Sequence, residues 1–152
     1  LMKPKKTSFE QVYRAVAEYR TKYPEKVVIY SGDNYDAFGW AIFMAGGSLS
    51  NVNANKPGLD QVLITAGLKP FELAGKPKDQ YALASPGKSY ILYNSSARAV
   101  KLDLSGVAGN YTVKRINPGT GSIIKEEKIK AGSAVEFNKL SSGDEIVFIN
   151  KN

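Results

Sequence analysis

The sequence contains no cysteine and no histidine. Disulfides, thiol chemistry, Cys/His zinc sites and a Ser-His-Asp triad are therefore excluded within this chain. Missing cysteine does not fix a compartment. An apolar run of membrane-spanning length and a recognisable signal peptide are also absent, although a chain that begins Leu1-Met2-Lys3-Pro4 has the look of a processed or excised piece of something longer. Tryptophan occurs once.

What is present is ordinary for a globular protein: 152 residues, 43% hydrophobic and 23% charged, with a formal net charge of +7. The positive balance raises nucleic acid as a partner. The lysines are spread thinly, however, and the one cluster, Lys3, Lys5 and Lys6, sits at the terminus with Pro4 inside it, so no nucleic-acid partner is expected. No cofactor and no metal site is expected either.

The clearest two-strand unit is residues 109–129. Tyr111-Thr112-Val113 is aromatic and β-branched, Asn117-Pro118-Gly119-Thr120-Gly121 supplies a tight reversal, and Ser122-Ile123-Ile124 begins the return. The rest of the second half repeats this style. Strands are predicted over 81–84, 89–94, 99–104, 110–116, 122–129, 133–137 and 145–150, separated by turn residues such as Pro86-Gly87 and Ser142-Gly143. Seven short strands at this spacing suggest an antiparallel β-sandwich. Its predicted core is Tyr81, Leu83, Tyr90, Leu92, Val100, Leu102, Leu104, Tyr111, Val113, Val135, Phe137, Ile146 and Phe148.

The first half has a helical period. Thr7 with Glu10, or Ser8 with Gln11, has capping-box spacing, and a helix over about 8–22 follows, closed by Pro24. Residues 26–32 form a continuous β-branched run that reads as a strand buried on both faces, of the kind parallel sheets use. Residues 37–45, AFGWAIFMA, are apolar on all sides and read as a buried helix stopped by Gly46-Gly47, with a strand as the alternative. A short helix over 59–66 ends at Gly67, and residues 70–79 read as a linker.

Three runs carry a resemblance: residues 81–90 (YALASPGKSY), 100–106 (VKLDLSG) and 109–121 (GNYTVKRINPGTG). They resemble the C-terminal β-sandwich behind the barrel of bacterial glycoside hydrolases, the module labelled a collagen-binding domain. Residues 38–48 (FGWAIFMAGGS) are similar to the Trp-containing, glycine-ended segment near the close of the catalytic barrel. The resemblance implies a mainly β fold with two parts. Residues 1–75 would be an α/β segment like the end of a TIM barrel, and residues 76–152 the C-terminal sandwich. It also implies a secreted bacterial protein, extracellular or periplasmic, whose partners are carbohydrate or the remainder of the parent barrel.

Glycoside hydrolysis needs two carboxyl groups across the scissile bond. Asp33 follows the predicted strand, and strand C-termini are where barrel active sites form, so Asp33 is the candidate catalytic residue. The plainer reading of Gly32-Asp33-Asn34 is turn chemistry. Trp40 and Tyr35 are candidate ligand-binding residues, as a stacking platform for sugar rings; the plainer reading of Trp40 is core packing. Asp36 reads as a helix N-terminal residue, and Glu72 has no positional argument. Asn94-Ser95-Ser96 and Asn110-Tyr111-Thr112 are formal glycosylation sequons. Two functions remain open at this point: an accessory region of a carbohydrate-active protein, inactive alone, and a direct contributor to hydrolysis through Asp33.

Overall fold

The structure, a computed structural model, describes residues 8–29, 38–47, 52, 56, 58–64 and 67–152. The chain divides into two compact units, Leu1–Asn53 and Ala54–Asn152.

In the first unit the helix predicted over 8–22 is α1, Phe9–Lys22. Ser8 is its N-cap: the backbone is extended there and the hydroxyl accepts from Gln11 N–H at 3.2 Å, so the second of the two predicted caps is the one used. Glu10 and Arg14 form an i,i+4 ion pair at 2.6 Å. Residues 26–29 differ from expectation. Among the described residues they pair with no strand, and Val27 and Ile29 are 71% and 46% exposed while Val28 is buried. A parallel strand buried on both faces needs a neighbour on each side, and the described residues supply none.

The apolar run that follows forms a short helix, α2, Gly39–Met44. It ends as the Gly46-Gly47 pair predicts. Gly46 takes φ +78 and donates to Phe43 O at 3.0 Å, and Gly47 N–H donates to Ile42 O at 2.9 Å, the paired bonds of a Schellman stop. Val12 and Val16 of α1 pack with Val28 and with Ala41, Ile42 and Ala45 in one buried cluster.

The second unit is mainly β, with antiparallel sheets. It opens with a short helix, α3, Asp60–Ile64. Its strands are β1 (Lys69–Pro70), β2 (Gln80–Ser85), β3 (Ser89–Asn94), β4 (Val100–Asp103), β5 (Asn110–Ile116), β6 (Ile123–Lys130), β7 (Ala134–Phe137) and β8 (Glu145–Lys151). They form a six-stranded sheet in the order β1-β2-β3-β8-β5-β6 and a two-stranded sheet β4-β7. Every strand predicted from alternation and turn residues is present. One strand was not predicted: β1 lies at the start of the supposed linker, where Lys69 and Pro70 pair with Ala84 and Leu83, and Phe71 N–H donates to Ala82 O at 2.9 Å. Proline is tolerated there because β1 is the sheet edge.

The β5–β6 hairpin turns as its residues require. The Asn117 side-chain oxygen accepts from the N–H groups of Gly119 at 2.8 Å and Thr120 at 3.2 Å, and Gly121 N–H closes on Asn117 O at 2.8 Å.

One hydrophobic cluster joins the two sheets. Ala82, Ala84, Tyr90, Leu92, Tyr111, Val113, Val147 and Ile149 of the large sheet pack with Val100, Leu102 and Phe137 of the small one. Tyr90 and Tyr111 meet edge to face at 6.4 Å, and both clamp the β2–β3 turn: Gly87 N–H donates to the Tyr90 hydroxyl at 2.8 Å, and the Tyr111 hydroxyl donates to Gly87 O at 3.0 Å. The opposite face of β2, β3 and β8 is apolar and buried too, through Tyr81, Leu83, Ile91, Tyr93, Ile146 and Phe148. The predicted core therefore mixes two faces of one sheet.

Two of these buried tyrosines make the unit sensitive to alkali. Burial is the main cause raising the phenol of Tyr93 above its usual range, helped by its hydrogen bond to Asp144 at 2.8 Å. Burial, followed by Tyr90, raises Tyr111. The folded state therefore favours the neutral phenol. The stabilisation is complete below the unfolded value of about 10 and is lost as pH rises through it toward the folded values. The urea midpoint should fall between pH 8 and pH 11, and Tyr93→Phe should make that fall shallower. An unchanged slope in the variant would refute the assignment.

Candidate functional site

Of the three candidate residues, Asp33 and Tyr35 lie outside the described residues; Trp40 is described. It sits in the first turn of α2, whose buried side carries Gly39, Ala41, Ile42 and Met44. The spacing i,i+3 puts Phe43 on the same side as Trp40, and their rings meet edge to face at 5.5 Å and 85°. Both are half-buried. Neither simple reading of the segment survives: the helix is not apolar and buried all round, and Trp40 is not a core residue. It is one half of an aromatic pair, partly exposed, on a helix whose residues Ala41, Ile42 and Met44 are buried. Phe43 was not singled out from sequence, although its spacing from Trp40 is a sufficient signal. Tyr13, half-buried on α1, packs against the same cluster, and its phenol is raised first by burial and then by the Glu10 carboxylate.

Arg115, three per cent exposed, and Glu145, one per cent exposed, form a buried ion pair. Arg115 Nε donates to Glu145 Oε1 at 2.7 Å, Arg115 also donates to Asn138 O, and Leu140 N–H donates to Glu145 Oε2 at 3.0 Å. The guanidinium lies 5.5 Å from the Phe137 ring centre. Every acceptor of the pair is engaged, so it is structural chemistry that fixes the residues after β7 against β5.

Asn94, the first sequon asparagine, is two per cent exposed. Its amide nitrogen donates to Arg98 O at 2.7 Å and its oxygen accepts from Ser96 N–H at 2.9 Å. A glycan on that nitrogen is incompatible with this fold, whereas Asn110 is exposed. Among the described residues no group of three or more Asp or Glu is placed to hold a metal ion, and no helix is long and apolar enough to cross a membrane.

The model of a domain of unknown function, DUF6298, matches residues 1–65, less than half of the chain. No curated protein matches the chain. Among solved structures, a protein described as a glycoside hydrolase is similar over 92% of this chain and 46% of its own, at 16% identity and a TM-score of 0.65. A glycoside hydrolase family 5 protein from Bacteroides vulgatus is similar over 77% of this chain and 35% of its own, at 15% identity and a TM-score of 0.55. The chain thus spans less than half the length of these structures. At such identities the likeness is one of fold: the chain shares the fold of part of these two structures.

Proposed function

We propose that this chain is the C-terminal region of a secreted, glycoside hydrolase-like protein, with an accessory role: residues 76–152 as a β-sandwich that packs on a catalytic barrel or holds a polysaccharide or matrix ligand, and residues 1–75 as the last α/β elements of that barrel. The observation that carries the reading is the fold likeness, which takes in nearly all of this chain but under half of the glycoside hydrolase it matches. Two sheets sharing one hydrophobic cluster support a sandwich. The half-exposed Trp40–Phe43 pair supports carbohydrate contact, since an aromatic face suits the C–H face of a sugar ring.

The second reading gives Asp33 a direct part in hydrolysis, on its position after residues 26–32. The two readings part on one pair of measurements. Under the accessory reading the isolated chain retards in gels containing polysaccharide, Trp40→Ala weakens that retention, and Asp33→Ala leaves turnover by the parent protein unchanged. A fall in turnover of about a hundredfold or more in Asp33→Ala, the scale of a lost general acid or base, would replace the accessory reading with the catalytic one.

A further inference from the structure

The large sheet carries a polar strip that the accessory role does not yet use. Cross-strand register puts Ser85 opposite Ser89, Ser89 opposite Asn150, Asn150 opposite Thr112, and Thr112 opposite Lys128. These five residues form one row across β2, β3, β8, β5 and β6, on a single face, at the strand spacing of about 4.8 Å. Beside it, Asn110 pairs with Lys130, and Asn152 N–H donates to Asn110 O at 3.0 Å. Neither row contains a carboxylate.

The hydrogen bonds give this strip a direction. The Ser89 hydroxyl bonds the side-chain oxygen of Asn150, and the Thr112 hydroxyl bonds that of Asn152. In each carboxamide the oxygen accepts one hydrogen bond from the sheet, and among the described residues the NH2 group has no partner, so it is available to a ligand. Asn150 and Asn152 are exposed, and so are Lys128 and Lys130, which have no ion-pair partner among the described residues. Two amide donors and two ammonium groups outnumber the one carboxylate that the strands carry on this face, Glu126, which lies two residues along β6 from Lys128 and opposite Lys114, so the strip donates more than it accepts. Its complement is a ligand rich in acceptors and negative charge. Hydroxyl and amide groups at this density suit sugar oxygens, and neither row contains an aromatic ring on which nucleic-acid bases would stack.

We infer that the row Ser85, Ser89, Asn150, Thr112 and Lys128, with Lys130 beside it, binds an extended acidic polysaccharide through its uronate carboxylates. This rests on the proposed carbohydrate role and names its ligand class. The test is affinity electrophoresis of the whole chain in gels containing polygalacturonate, alginate, neutral xylan or duplex DNA. Retention by the two uronates is expected, declining with salt. The double variant Lys128→Gln/Lys130→Gln should weaken it about tenfold, and Asn150→Asp, which changes the donor to an anion with little change of shape, should remove it. Lys125→Gln, on the opposite face, should leave it intact. Equal retention by DNA would overturn the inference. So would neutral xylan binding that Trp40→Ala weakens and the lysine variant does not, a result that leaves the accessory role standing. Retention by no polysaccharide would overturn the inference together with the polysaccharide-holding form of the accessory role.

Discussion

Arg115→Met should lower the stability of the protein by about 3–5 kcal/mol, because it leaves the Glu145 carboxylate buried without its partner. The geometry allows little escape. Glu145 is almost fully buried, its second oxygen is held by Leu140 N–H, and the carbonyl of Asn138 would lose its donor as well. The double variant Arg115→Met/Glu145→Leu removes both charges, and it should recover most of the loss, since apolar residues of similar volume often replace a buried ion pair at little cost. A residual deficit of about 1 kcal/mol is expected from the unpaired Leu140 N–H. Urea unfolding of the three proteins gives the comparison. A single variant within about 1 kcal/mol of the parent would show that water reaches the site and that the pair is not dry.

Gly58→Ala should have the next largest effect, near 3 kcal/mol, seen as a fall in Tm of about 10 °C. Gly58 has φ +77, and a Cβ there would lie 2.6 Å from Gly121 O and 3.0 Å from Ile123 Cγ1. The left-handed backbone costs an alanine about 1–2 kcal/mol, and the contact costs about 1–3 more because a turn carbonyl cannot retreat as a side chain can. Lys56 Nζ donates to Gly119 O in the same turn, so the β5–β6 reversal is held from outside the hairpin. Gly75→Ala separates the two causes: its φ is +78 and nothing lies within 4 Å of the added Cβ, so it should cost the backbone part only. Equal losses at the two positions would mean that the contact with Gly121 contributes nothing.

The β half was legible in the sequence because its strands are short and their turns are chemically explicit. Asn117 does what an asparagine before Pro-Gly does, and the register of β5 against β6 follows. The two-sided burial of β2, β3 and β8 was less legible. Picking alternate residues chose Tyr90 and Leu92 on one face but Ile146 and Phe148 on the other, and it passed over Ile91, Val147 and Ile149. Alternation presumes one wet face, and runs such as Tyr90-Ile91-Leu92-Tyr93 have none. Edge strand β1 escaped notice because two residues, one of them proline, carry no period at all. The Arg115–Glu145 pair joins residues 30 apart in the chain, and no local pattern announces such a partner. For the candidate site, Trp40 was found by composition, and Phe43 was passed over although its i,i+3 spacing from Trp40 could have found it. Asp33 and Tyr35 rest on their place in the sequence.

The position of β8 has a kinetic consequence. It follows the other strands in sequence, yet it stands between β3 and β5 in the large sheet. The hairpins β2–β3 and β5–β6 are local pairings that can form early. They become one sheet only when β8 enters between them, which pairs Ser89 with Asn150 across 61 positions. Loop closure of that span precedes any gain from the central pairings, so the slow step of folding belongs to the arrival of β8 rather than to the turns. During synthesis the apolar flanks of β3 and β5 are left as open edges until that strand is made, and this interval is when the chain is most exposed to aggregation and most in need of a chaperone.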